Sequence, residues 1–233
     1  IRRILIRRLL ILNEDGPIGD GLVLELIRAG YLENGRVPQR MGGSLDERLA
    51  KYKAALPALR RHFQAPEQLR LERQLLGVAA AELEDCLNPA GIELVLTDEL
   101  AEEIASYVDR KAGDELWLVA LRAWLNADTE LAAWRLLSRP DQPLWRSFTK
   151  QPTEHVAALM RELTRIDTQL RDRTLDARVR QITRLIPPYL VLADLAYHTP
   201  AETRERIAES TKLRTFVETA IKRRLHASEA KIQ

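Results

Sequence analysis

The 233-residue sequence contains one cysteine, Cys86, so no disulfide can form within the chain. A lone thiol fits a reducing compartment, and a cytoplasmic location is expected. Its neighbours Glu84 and Asp85 disfavour the thiolate, so Cys86 reads as structural rather than nucleophilic. Aromatic residues are only 5% of the chain, and β-branched residues are sparse. That shortage argues against extended sheets. Long apolar runs are missing too. The most apolar stretch, Leu116 to Leu125, is too short to span a bilayer and contains Arg122. Membrane partners are therefore not expected. Gly-x-Gly-x-x-Gly, Walker A, His-Glu-x-x-His and Cys-x-x-Cys patterns are all absent. His62, His155, His198 and His226 stand apart from one another, and no serine lies in a nucleophile-elbow pattern. No cofactor and no catalytic residue are expected on these grounds.

What remains favours helix. Leu, Ala, Arg and Glu dominate, and such side chains lose little rotamer freedom in a helix. The pattern predicts an all-α protein, a single multi-helix bundle of about eight to ten helices over residues 1–233. Residues 1–64 could form an N-terminal subdomain. Ile4, Leu5, Leu9 and Leu12 make the apolar stripe of a first helix. Asp20 opens a second that stops before Gly30, and Tyr31 to Val37 around Asn34-Gly35 reads as a hairpin-like loop. Ser44-Leu45-Asp46-Glu47 is a capping box that opens a helix toward Phe63, with Pro57 expected to kink or divide it. Pro66 starts a helix through Leu87, and Thr97 or Asp98 begins the next. All four tryptophans (Trp117, Trp124, Trp134, Trp145) fall within residues 114–148. Asp114–Asn126 and Asp128–Ser138 are expected to form a buried, Trp-rich helical hairpin at the centre. One long helix, about 153–186, follows. Its apolar seam slips between Leu170 and Leu175, and Pro187-Pro188 ends it. Thr199-Pro200-Ala201-Glu202 opens a last helix toward Leu225.

Charge is unevenly spread. Residues 74–109 carry nine Asp or Glu and no Lys or Arg, while the flanks carry net charges of +5 and +6. The near-neutral total of +2 conceals this segregation. Glu82 and Asp85 share one helix face, as do Glu99, Glu102 and Glu103 on the next helix. These five residues are the expected acidic, partner-binding face. Brought together, Glu82, Asp85, Glu99 and Glu102 could hold Mg²⁺. Their spacing resembles the Glu-x-x-Glu and Glu-x-x-Asp pairs of all-α nucleoside triphosphate pyrophosphatases. Here the pairs stand in reversed order and the first lacks a doubled glutamate. The resemblance implies a metal-dependent hydrolase; the simpler reading is a solvated or ion-paired face.

Arg2, Arg3, Arg7 and Arg8 near the start, and Lys222, Arg223 and Arg224 near the end, are candidates for contacting phosphates. The order of helices before the Asn34-Gly35 loop faintly resembles a winged helix, yet residues 20–29 offer only Arg28 for reading bases. In residues 153–186 acids offset the arginines, as on a salt-bridged surface. The expectation is a non-enzymatic interaction or scaffold protein. It would dock a protein partner, or another copy of itself, through segregated acidic and basic surfaces. Nucleic-acid binding is the alternative, and a metal-dependent hydrolase the third reading.

Overall fold

The computed structural model describes residues 1–10, 16–33, 35, 37–88, 91–107, 113–140 and 142–198. They form eleven α-helices and one short 3-10 turn, with no strand among them. The helices group into two compact units. The first holds residues 1–89 and 127–172; the second holds 90–126 and the chain from Arg173 on. No helix among the described residues is long and apolar enough to cross a membrane.

The first unit contains α1 (Arg2–Leu10), α2 (Gly19–Arg28), α3 (Met41–His62) and α4 (Ala65–Leu87). The chain returns to it as α7 (Thr129–Leu137), α8 (Pro143–Lys150) and α9 (Pro152–Arg171). α3 packs against α2, α4 and α9, while α4 also receives α1 and α7. Leu49, Tyr52, Ala55 and Leu59 of α3 meet this core, as do Leu75, Ala79 and Leu83 of α4. The first set steps by three and four and the second by four, which turns one face of each helix inward. α3 runs unbroken through Pro57, because the buried Ala55, Ala58 and Leu59 hold both sides of it. It also starts three residues before the expected capping box. Asp46 instead caps the neighbouring helix: its Oδ1 accepts the backbone N–H groups of Ile18 at 2.8 Å and Gly19 at 3.0 Å. Asp20, expected as that cap, lies inside α2.

The second unit contains α5 (Gly91–Tyr107), α6 (Asp114–Leu125), α10 (Arg173–Ile182), the 3-10 turn Thr183–Leu185 and α11 (Ile186–His198). α6 is apolar nearly all round and is covered by α5, α10 and α11. α5 begins six residues before Thr97, whose hydroxyl donates back to the Glu93 carbonyl at 2.6 Å and so sits in mid-helix. Pro187-Pro188 opens α11 rather than ending a helix, since the first turn needs no proline N–H.

Two expectations change. The tryptophan-bearing stretch is not one central hairpin, because α6 belongs to the second unit and α7 to the first. The uniform apolarity of α6 is met by helices from its own unit, and the apolar face of α7 by α4 and α9. The long helix also divides. Asp172 is extended (ψ 128°) between α9 and α10. The break falls in the seam slip: Leu170 is buried in the first unit and Leu175 in the second. A five-residue step cannot keep one stripe on a continuous helix. The Asn34 turn position, the helix from Thr199 and Lys222, Arg223 and Arg224 lie outside the described residues.

The contact of α2 with α3 gives a direct test. A Cβ on Gly42 would lie 1.8 Å from Asp20 Oδ1 and 2.8 Å from the Asp20 backbone nitrogen, whereas one on Gly43 would meet nothing within 4 Å. Gly42→Ala is expected to destabilise the protein by about 1–3 kcal/mol through overpacking. Gly43→Ala is expected to stabilise it by about 0.5–1 kcal/mol through helix propensity. Urea unfolding of both variants reads the contrast; equal effects would contradict this packing.

Candidate functional site: division of the acidic segment

The acidic segment does not act as one surface. Glu82 lies on α4 and is only 5% exposed. Burying a carboxylate is costly unless its oxygens are paired. Here Lys51 Nζ of α3 sits 2.6 Å from Oε1, and the Tyr52 hydroxyl donates to Oε2 at 2.7 Å. Arg48 adds a longer contact at 4.0 Å. Lys51 Nζ also lies 4.9 Å from the ring centre of Trp145 and 5.2 Å from that of Tyr52, within cation–π range. Phe148 and Trp134 complete the aromatic group around Trp145, with ring centres 5.4 and 5.1 Å away. α3, α4, α7 and α8 thus meet at one charged pair wrapped in rings.

The other acids of α4 are occupied in the same way. Asp85 pairs with Arg135 at 2.8 Å and accepts the Trp134 indole N–H at 3.3 Å. Glu84 pairs with Arg2 at 2.8 Å, and Arg2 also reaches Asp128. Arg2 is therefore a structural cation rather than a free phosphate contact. Of the other N-terminal candidates, Arg8 pairs with Glu25 at 2.5 Å, while Arg3 and Arg7 are exposed without an ion pair among the described residues.

The acids of α5 belong to the second unit, so Glu82 and Asp85 are separated by unit from Glu99, Glu102 and Glu103. Glu103 accepts the Tyr189 hydroxyl at 2.7 Å. Asp98 accepts the Trp117 indole N–H at 2.7 Å, and Thr97 that of Trp124 at 2.9 Å. Glu99 and Glu102 are exposed and have no ion pair among the described residues. Val95, 54% exposed, lies on the same face one turn earlier. No three described His, Cys, Asp or Glu residues gather as a metal site would require. On the second unit, Arg173 and Arg180 of α10 and Arg184 of the 3-10 turn are exposed and have no ion pair among the described residues, whereas Arg178 bonds Glu115.

Reading the sequence placed Glu82 on an outward face; it missed Lys51 and Tyr52 as its partners. The signal was present in a limited form. Glu82 sits in an Ala-Ala-Ala-Glu-Leu run, on a stretch too apolar to be a solvated face. Comparison with protein-family models, with curated proteins and with solved structures finds no match for this chain.

The buried pair has a pH signature. Burial pulls the Lys51 ammonium below its ordinary value of 10.5, outweighing the opposing pull of Glu82. Burial and the Glu82 charge push the Tyr52 hydroxyl well above its ordinary 10.0. Between the lowered Lys51 value and 10.5, the unfolded chain binds the extra proton, so this residue's contribution makes stability rise with pH and is lost as pH falls through that window. Tyr52 acts oppositely above 10.0, where only the unfolded chain loses its proton. The stability of the wild type relative to Lys51→Met is expected to climb toward pH 10, as read by urea unfolding across a pH series. At neutral pH, Glu82→Gln is expected to cost about 3–5 kcal/mol by leaving Lys51 buried and unpaired. Lys51→Met/Glu82→Gln should recover much of that loss, since no buried charge remains. A double variant as unstable as Glu82→Gln alone would contradict the pairing.

Proposed function

We propose that this is a non-enzymatic helical interaction protein, and that the outward face of α5 is its acidic docking surface. The observation that supports this reading is the division of the acids. Glu82, Glu84 and Asp85 are neutralised within the first unit. Glu99 and Glu102 stay exposed beside the exposed Val95, with no ion pair among the described residues. Carboxylates flanking an apolar side chain suit a basic partner surface. Complementary charge there governs partner choice and on-rate more than affinity. A second copy of the chain could supply such a surface through Arg173, Arg180 and Arg184.

Nucleic-acid binding is the second reading. It is favoured by the same arginines together with Arg3 and Arg7, all exposed and without an ion pair among the described residues, since free cations are what phosphate contacts require.

A Glu99→Lys/Glu102→Lys variant separates the two. Neither side chain is packed, so folding should persist. The variant is expected to bind poly-L-arginine about tenfold more weakly than wild type at low salt, two exposed pairs at about 0.7 kcal/mol each. The difference should shrink near physiological ionic strength, where the Debye length is about 8 Å. Equal binding by both proteins would remove the α5 face from the account. Random duplex DNA bound tightly at low salt, with a loss of about a thousandfold or more by moderate salt, would favour the nucleic-acid reading instead.

A further inference from the structure

Helices α4, α7 and α9 of the first unit enclose a groove of about 480 Å³. That is within the range of pockets that hold small ligands or peptide side chains. Its floor is apolar, with Val78, Ala133 and Leu163 buried beneath it. Two features of its lining lack a complement. Leu69, on the same wall of α4, is 55% exposed. Glu130 of α7 is half-buried and has no ion pair among the described residues. The neighbouring charges differ: Asp167 pairs with Arg171 at 3.0 Å, and Arg70 with Glu67 at 3.3 Å.

Gly77 explains how Glu130 is held. A Cβ at this position would lie 2.4 Å from Glu130 Cγ. The absence of a side chain there leaves room for the Glu130 stem against α4, and the carboxylate stays at the groove. A carboxylate with no ion pair among the described residues calls for a donor. The floor and Leu69 call for apolar surface. Arg73, also in the lining, is exposed and solvent-screened, so its charge weighs less than that of the half-buried Glu130.

We infer that this groove binds a short peptide segment of a partner protein, with a leucine-like side chain on the floor and an adjacent lysine or arginine directed to Glu130. A chain segment fits better than a small amine, because only a longer ligand also covers the exposed Leu69. The inference rests on the interaction-protein reading, but concerns different helices from the α5 face.

The test titrates acetyl-Ala-Leu-Lys-Ala-amide and acetyl-Ala-Leu-Glu-Ala-amide into the full chain. The methyl signals of Leu69 and Leu163 and the side-chain amide of Gln74 are followed by NMR. The lysine peptide is expected to shift all three and to bind at least about fivefold more tightly than the glutamate peptide, consistent with one charge-assisted contact. Glu130→Gln should level the two peptides. Gly77→Ala should weaken the lysine peptide while keeping the carboxylate, with circular dichroism confirming that both variants fold. No shift up to about 10 mM, beyond the millimolar range of weak binding, overturns the inference. Equal shifts from both peptides overturn it as well. So do equal shifts from n-hexylamine, which would make the occupant a small amine, or shifts on raising protein concentration alone, which would make it a second copy. The poly-L-arginine titration reads the α5 face separately, so either result can fail while the other stands.

Discussion

A buried carboxylate sets the terms for the first unit. Glu82 is enclosed where α3, α4 and α8 approach, and it is tolerated only because Lys51 and the Tyr52 hydroxyl occupy both oxygens. Domains are stable by only about 5–15 kcal/mol, so one uncompensated charge would take a large share of that margin. Each partner must therefore arrive in place for the unit to close. The rings of Tyr52, Trp145 and Phe148 pack beside the pair and give Lys51 an aromatic surface to lie against. The same constraint explains why the most acidic stretch of the chain does not present a uniform acidic surface.

Once these internal obligations are met, the remaining charge is specific in place. Arg2 and Arg135 are committed to Glu84 and Asp85, and Arg178 to Glu115. Among the described residues, Glu99 and Glu102 on α5 have no ion pair, nor do Arg173, Arg180 and Arg184 of the opposite sign. Local charge counting along a sequence overstates a docking surface because it cannot see which charges are spent on folding. The proposed role draws on the residue of that bookkeeping rather than on the nine acids as a block. The groove beside Glu130 follows the same logic: its carboxylate is one that the described part of the fold does not pair.

Helical periodicity made the fold class readable, and the extent of α4, the Asp128 start of α7 and the seam slip at 170–175 were all visible in the residue spacing. Errors came where tertiary contact overrode local signals. Ser44-Leu45-Asp46-Glu47 has the form of a helix start, yet Asp46 caps the first turn of another helix. Thr97 has the form of a cap, yet binds a carbonyl one turn back. Pro57 has the form of a break, yet lies in a continuous helix. Trp117 and Trp134 are near in sequence but belong to different units, because apolar content says that a helix is buried and not which helices cover it. Of the candidate acids, Glu99 and Glu102 have the exposed positions that helical spacing predicts, with no long-range ion pair among the described residues. Glu82 does not, because its partners lie about thirty residues away on another helix.

Carbodiimide labelling of carboxylates with glycine ethyl ester, read by mass spectrometry at each site in the native protein, tests this division most directly. Glu99 and Glu102 should label at the rate of a solvated glutamate, and Glu82 should resist until the protein unfolds. Native labelling of Glu82 as fast as that of Glu99 and Glu102 would contradict the account.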